Sequence, residues 1–311
     1  MKQPFVSVII PNYNHARYLD ERIESVLEQT YQHFEVIILD DKSTDNSLEV
    51  INKYKDNPHI ARIVVNEENS GSTFKQWHKG FEMAKGDLLW IAESDDKCDK
   101  RLLETLVTFY TEDPNCVLAY SKSVLFKDDG TIVEDYKPKE SEYMSGTEFI
   151  AQRMTCGNSI ANASSALFKR TVALGIDKQY TTYKGAGDRM FWIEIAEKGN
   201  VGIDYQRLNF FRIHESNSTK RYYFEGINQV EDFRILQYIQ KKGHLTERQY
   251  KKAKRMYAQW TIFTDIISPE RKREMCKLWG LGWTDRVYLF FYNLEEILVY
   301  KLNRFTAKRH S

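Results

Sequence analysis

Between residues 6 and 92 the chain alternates four short apolar runs with three amphipathic stretches, and few folds accept that order. The runs VSVII (6–10), EVIIL (35–39), IARIVVN (60–66) and DLLWIA (87–92) read as strands, and the first is apolar enough to be covered on both faces. Leu19, Ile23, Val26 and Leu27 recur at helical spacing across 17–30. Leu48, Ile51 and Tyr54 mark a second helix, and Phe74, Trp77, Phe81 and Ala84 a third over 73–85, with Gly86 as its stop. A β-α-β-α-β-α-β order calls for a mostly parallel sheet with right-handed crossovers.

Ligands of such sheets bind beyond the carboxyl ends of the strands. Four polar clusters fall there: PNYN, DDKSTD, NEENSG and ESDD. The last holds Glu93, Ser94, Asp95 and Asp96, and crowded carboxylates at a strand end need a cation, basic partners or open water. The competing reading of ESDD alone, a solvated turn that caps the next helix, weakens when four polar strand ends coincide. GxGxxG after the first strand, GxxxxGK[ST] and GxSxG are all absent, which disfavours a dinucleotide cradle, a P-loop and a nucleophile elbow. Any phosphates are then expected on a hard cation, Mn²⁺ or Mg²⁺.

Further along, 102–110 is helical, Asp128-Asp129-Gly130 joins two strands in a hairpin, 147–154 is helical and 159–169 extended. Gly187-Asp188 opens a helix ending at Gly199, and a strand over 201–213 finishes in His214. The remainder is helical and charged. The chain divides into a domain of 1–219, with halves of about 1–99 and 100–219, and an extension of 220–311.

Lys plus Arg number 45 against 44 Asp plus Glu, so no basic field suggests nucleic acid. Four scattered cysteines form no CxxC pair, favouring a reducing, cytoplasmic setting. The apolar run before Pro11 is too short for a signal peptide, and no transmembrane stretch occurs. Residues 271–311 carry nine Lys or Arg against four Asp or Glu. Within them, the aromatic-rich segment 283–305 either packs on the catalytic domain or a second subunit, as in a homo-oligomer, or lies on the inner face of the membrane.

VSVIIPNYN (6–14), VLEQTYQHFEVIILDDKSTDNS (26–47), ENSGS (68–72), WIAESDD (90–96) and GDRMFWIEIAEKG (187–199) resemble family 2 glycosyltransferases over about residues 5–215. The resemblance implies a GT-A fold, an α/β Rossmann-like sheet flanked by helices. It also implies inverting transfer from a nucleotide diphosphate sugar, a UDP-sugar above all, to a glycan or lipid-linked acceptor in cell-surface polysaccharide synthesis. Pro11 and Tyr13 would lie against the base, Asp41 with Asp40 beside it would accept from the uracil ring, and Asn69 and Gly71 would form a nearby loop. Glu93-Ser94-Asp95 stands where the family has Asp-x-Asp. Asp95 is then the metal ligand with Asp96 next to it, and Glu93 and Ser94 face the nucleotide. Glu93 departs from the usual Asp. Asp188 corresponds to the general base, with capping of its helix as the structural alternative, and His214 to a histidine near the diphosphate and metal. A nucleotidyltransferase on a similar scaffold, and a non-catalytic sugar-binding protein on a decayed transferase fold, are the competing readings.

Overall fold

The computed structural model describes residues 3–134, 139–214, 218–264, 266–283, 285 and 287–291. It divides into two compact units, Met1–Asn217 and Ser218–Ser311. The sequence reading put that boundary after Thr219.

The first unit begins β1 (Val6–Asn12), α1 (Ala16–Leu27), β2 (Phe34–Asp40), α2 (Ser47–Asn52), β3 (Ile60–Val65), α3 (Thr73–Met83) and β4 (Leu88–Ile91). β1 pairs in parallel with β2 on one side, Val6 opposite Phe34 through Asn12 opposite Asp40, and with β4 on the other. Every residue of β1 and β2 is buried, as the unbroken apolar runs require, whereas edge strand β3 exposes Ala61 and Arg62. α1 buries Leu19, Ile23 and Val26, and α3 buries Phe74, Trp77 and Phe81. α3 lies so close to β1 that a Cβ on Gly80 would come 2.6 Å from Ile9 Cγ2.

The rest of this unit follows as β5 (Lys97–Cys98), α4 (Leu102–Glu112), β6 (Cys116–Lys127), β7 (Ile132–Glu134), β8 (Glu142–Ser145), α5 (Gly146–Phe149), β9 (Ala166–Lys169), α6 (Arg170–Gly175), α7 (Gly187–Ala196) and β10 (Asn200–Ile213). The sheet order is β3-β2-β1-β4-β9-β6-β10-β5. Past β4 the sheet turns mixed: β9 runs antiparallel to both β4 and β6, and β10 runs parallel to β6. Asp128-Asp129-Gly130 does join β6 to β7, with Gly130 at φ +82°.

β5, β8 and α6 have no counterpart in the sequence reading, and two expected stretches take another form. The helix expected over 147–154 is α5 followed by a π-helical turn, Ile150–Met154, whose end is held by the Arg189 guanidinium on the Met154 and Thr155 carbonyls. The extended segment 159–169 is broken by a short 3₁₀ turn, Ala163–Ser165, where Ser165 Oγ donates to the Asn162 carbonyl.

The second unit contains α8 (Ser218–Phe224), α9 (Ile227–Lys241), α10 (Glu247–Phe263) and α11 (Pro269–Leu278). Phe233 stacks on Trp279 with ring centroids 5.1 Å apart, among buried Leu236, Ile239, Tyr257 and Met275. A capping box, Thr246 with Gln249, starts α10. No helix among the described residues is long and apolar enough to cross a membrane. Most of the segment 283–305, read as a packing or membrane element, lies outside the described residues.

Candidate active site

The ends of β1 and β2 are tied together by short polar side chains. Asn12 Nδ2 donates to Asp40 Oδ2 at 2.8 Å and to Ser43 Oγ at 3.1 Å, while the Ser43 amide donates to Asp40 Oδ1 at 2.8 Å. Asn14, in the left-handed region at φ 57°, accepts from the Thr44 amide at 2.7 Å. Asp45 caps locally, taking the Ala16 and Ser47 amides. Pro11 is buried within β1 opposite Leu39, and Tyr13 stands 47% exposed at the loop tip.

Asp40 is fully buried, with Oδ1 holding the Ser43 amide and Oδ2 the Asn12 side chain, so it fastens the two loops. Asp41, also buried, organises the next loop: Oδ1 accepts from Asn66 Nδ2, from the Ser70 amide at 2.9 Å and from Gln76 Nε2 at 2.9 Å. Its Oδ2 accepts from Ser70 Oγ at 2.7 Å. Asn69 donates to the Asp41 carbonyl and accepts from the Gly71 amide, with Gly71 at φ +67°.

Beyond β4 the carboxylates diverge. Glu93 Oε1 accepts from Trp77 Nε1 at 2.8 Å, and burial, with Asp95 adding repulsion, pushes its pKa up to about 8. Asp95 Oδ2 lies 3.0 Å from His214 Nε2. Burial raises the Asp95 carboxyl, but the hydrogen bond to His214 and the imidazoles of His15 and His214 outweigh it and hold the group below its ordinary range. Ser94, buried, meets His15 Nδ1 with its hydroxyl at 2.8 Å. Burial also lowers the pKa of His15, against the pull of the Asp95 carboxylate.

Asp96 turns inward. Its carboxylate accepts from the Arg212 amide at 2.9 Å, from Ser164 Oγ at 2.6 Å and from Asn162 Nδ2, with Arg22 3.8 Å away. Burial and the neighbouring Asp95 push its pKa up to about 7. These partners take both oxygens into the protein, so Asp96 anchors β10 and the Asn162–Ser164 turn and does not share the cluster of Asp95.

That cluster is His15, Asp95 and His214, one ligand-type atom of each lying within 4.8 Å of the others. Two imidazoles and a carboxylate are a donor set for a divalent transition-metal ion. Ligands on one ion at roughly 2.1 Å sit at most about 4.2 Å apart, so the three groups are within a small movement of closing on one. The sequence reading missed His15. It is the residue after PNYN, at the first strand end, and only the fold carries it to the fourth.

Asp188 sits in the first turn of α7. Its Oδ2 accepts from Asn158 Nδ2 at 2.7 Å and its Oδ1 from the Arg189 amide at 2.7 Å. α7 approaches closely enough that a Cβ on Gly187 would meet the Phe74 ring and the Tyr180 carbonyl, both at 2.6 Å. Trp77 of α3 packs against Phe191 and Trp192 while its indole holds Glu93. The segment from Asn158 to Ser164 also reaches both sides, binding Asp188 at one end and Asp96 at the other. Asn158, the residue that holds Asp188 Oδ2, carries no signal in the sequence.

A sequence model described as Glycosyl transferase family 2 matches residues 7–174. A poly(ribitol-phosphate) beta-N-acetylglucosaminyltransferase of Staphylococcus aureus, TarP, is 32% identical over 245 residues, covering 72% of this chain and 70% of that protein. Among solved structures, S. aureus TarS 1-349 in complex with UDP-GlcNAc superposes with a TM-score of 0.57 at 18% identity, covering 87% of this chain and 69% of that one. The mannosyltransferase PcManGT from Pyrobaculum calidifontis, in complex with GDP-Man and Mn²⁺, gives 0.57 at 16% identity, covering 96% and 81%. The structural likenesses establish a shared GT-A fold, and the family match spans more than half of the 311 residues: the chain belongs to glycosyltransferase family 2.

Proposed function

We propose that the protein is an inverting, metal-assisted glycosyltransferase. It would move a sugar from a nucleotide diphosphate sugar, a UDP-sugar first, to a glycan or lipid-linked acceptor of cell-surface polysaccharide synthesis. One observation carries the reading: Asp95 and His214, 119 residues apart, meet at 3.0 Å at the carboxyl end of β4. The names of TarP and TarS's ligand support an N-acetylhexosamine donor from UDP and a phosphate-bearing polymer as acceptor class. PcManGT, with GDP-Man, keeps a guanine nucleotide as the alternative donor.

In this reading the base lies against the Pro11–Tyr13 loop, where the exposed Tyr13 ring offers a stacking face. Asp41 Oδ2, which holds only the Ser70 hydroxyl among its described contacts, accepts from a ring N–H. Asn69 and Gly71 shape the wall beside it. Glu93 and Ser94 line the approach to the ribose and diphosphate. A divalent cation, Mn²⁺ or Mg²⁺, held by Asp95 and His214 would offset the charge that builds on the leaving diphosphate.

Asp188 takes the proton from the acceptor hydroxyl as that oxygen attacks the anomeric carbon from the face opposite the diphosphate, giving inversion in a single displacement. Such general base catalysis is worth roughly 10²–10⁴ in rate. Asn158 donates to Asp188 Oδ2 and so orients the carboxylate. The test is a thermal-shift screen of UDP-, GDP-, dTDP- and CMP-sugars with Mn²⁺, followed by NMR of the product's anomeric centre. A Mn²⁺-dependent shift for one donor and an inverted product are expected. No shift for any donor, or retention, would sink the proposal.

A further inference from the structure

His15 is placed with unusual care for a residue that no motif names. It is the N-cap position of α1, with its carbonyl accepting the Tyr18 and Leu19 amides, and Asp45 pins the adjoining Ala16 amide. Its ring stands edge-on to that of His214, centroids 5.8 Å apart and planes at 84°, and edge-on to Tyr18 at 6.0 Å. Ser94 Oγ engages Nδ1 at 2.8 Å. When Nδ1–H donates to that hydroxyl, Nε2 is the nitrogen with a lone pair. Metal-binding histidines are characteristically fixed in this way, one ring nitrogen bonded to the protein and the other left for the ion. Here the fixing residue is the immediate neighbour of Asp95, so ring and carboxylate are positioned by one short backbone segment.

We propose that His15 is a third protein ligand to the cation, completing a two-imidazole, one-carboxylate set with Asp95 and His214, and that this set selects Mn²⁺ over Mg²⁺. Mg²⁺ prefers an all-oxygen shell and keeps its waters, whereas imidazole nitrogen favours first-row transition ions. Three protein ligands would leave positions for diphosphate oxygens. The proposal deepens the transferase reading and rests on it only for what the cation serves, since the cation site is testable with no nucleotide present.

The experiment titrates Mn²⁺ into the full chain, following free Mn²⁺ by EPR and counting ¹⁴N couplings on bound Mn²⁺ by pulsed EPR, with Mg²⁺ as competitor. Wild type should show two nitrogen couplings. His15→Ala should retain one, bind Mn²⁺ about tenfold or more weakly, and lose its discrimination against Mg²⁺. Ser94→Ala removes the hydrogen bond and keeps the ring, so it should retain two couplings. A wild type with fewer than two couplings overturns the proposal without recourse to any variant, as does a folded His15→Ala with wild-type couplings and affinity. Two couplings in wild type, with no nucleotide sugar shifting the melting temperature, would leave the cation site standing and defeat the transferase reading alone.

Discussion

The carboxylates beyond β2 and those beyond β4 occupy equivalent places in the sheet and have opposite surroundings. Asp40 and Asp41 are met by neutral donors, the amides and hydroxyls of Asn12, Ser43, Asn66, Ser70 and Gln76, and are built into the loops they organise. Glu93 is met by an indole and Asp95 by an imidazole, Asp96 has the Arg22 guanidinium 3.8 Å away beside its amide and hydroxyl donors, and Asp95 repels the other two. Neutral donors complete a carboxylate and leave a rigid wall. Crowded charge with titratable partners leaves a site that a divalent cation would relieve, since a bound ion inverts the local preference for protonation.

The strongest way to separate working carboxylates from structural ones is Asp188→Asn. Transfer should fall by about 10²–10⁴ while the donor-dependent thermal shift persists. Full activity would return Asp188 to the role of a helix-start residue. Next in size, Arg22→Met removes the cation beside Asp96 and the donor to the Glu93 carbonyl, and urea unfolding should show a loss of about 2–3 kcal/mol. An unchanged midpoint would mean that Asp96 is not the anchor described above.

On the β2 side, Asp41→Ala leaves the Asn66, Ser70 and Gln76 donors without their acceptor. A loss of about 2 kcal/mol is expected in the same assay, with Mn²⁺ binding unaltered because Asp41 is outside the His15–Asp95–His214 cluster. Weakened Mn²⁺ binding would erase the distinction between the two strand ends.

The smallest effect concerns pH. Glu93 is raised from 4.5 to about 8, so the stability tied to its protonation is complete below 4.5 and is lost as pH rises through 8. Glu93→Gln should therefore raise the melting temperature of the metal-free protein more at pH 9 than at pH 5. An equal gain at both values would show that the carboxyl is not held protonated.

Much of the parallel half was legible because its information is local. Each strand is a run of apolar residues whose burial on both faces is dictated by composition, and each crossover helix carries its own periodicity, so β1 to β4 fall within two residues of their expected bounds. The mixed half was less so. The 3₁₀ turn at Ala163–Ser165 and the π-turn at Ile150–Met154 answer to groups far along the chain, Asp96 and Arg189.

The site divides in the same way. Motif resemblance picked out Asp95, His214 and Asp188 from the sequence. It put Asp41 ahead of Asp40 and Asp95 ahead of Asp96, but the partners that hold each aspartate were beyond it. Asp96 takes donors from residues 162, 164 and 212, and His15 meets Ser94 across 79 residues. The sequence by itself determined the strands, the polar strand ends and the family. The tertiary structure alone decided which carboxylates are completed by the protein and which keep charge to share, since that depends on what distant chain segments bring within hydrogen-bond reach.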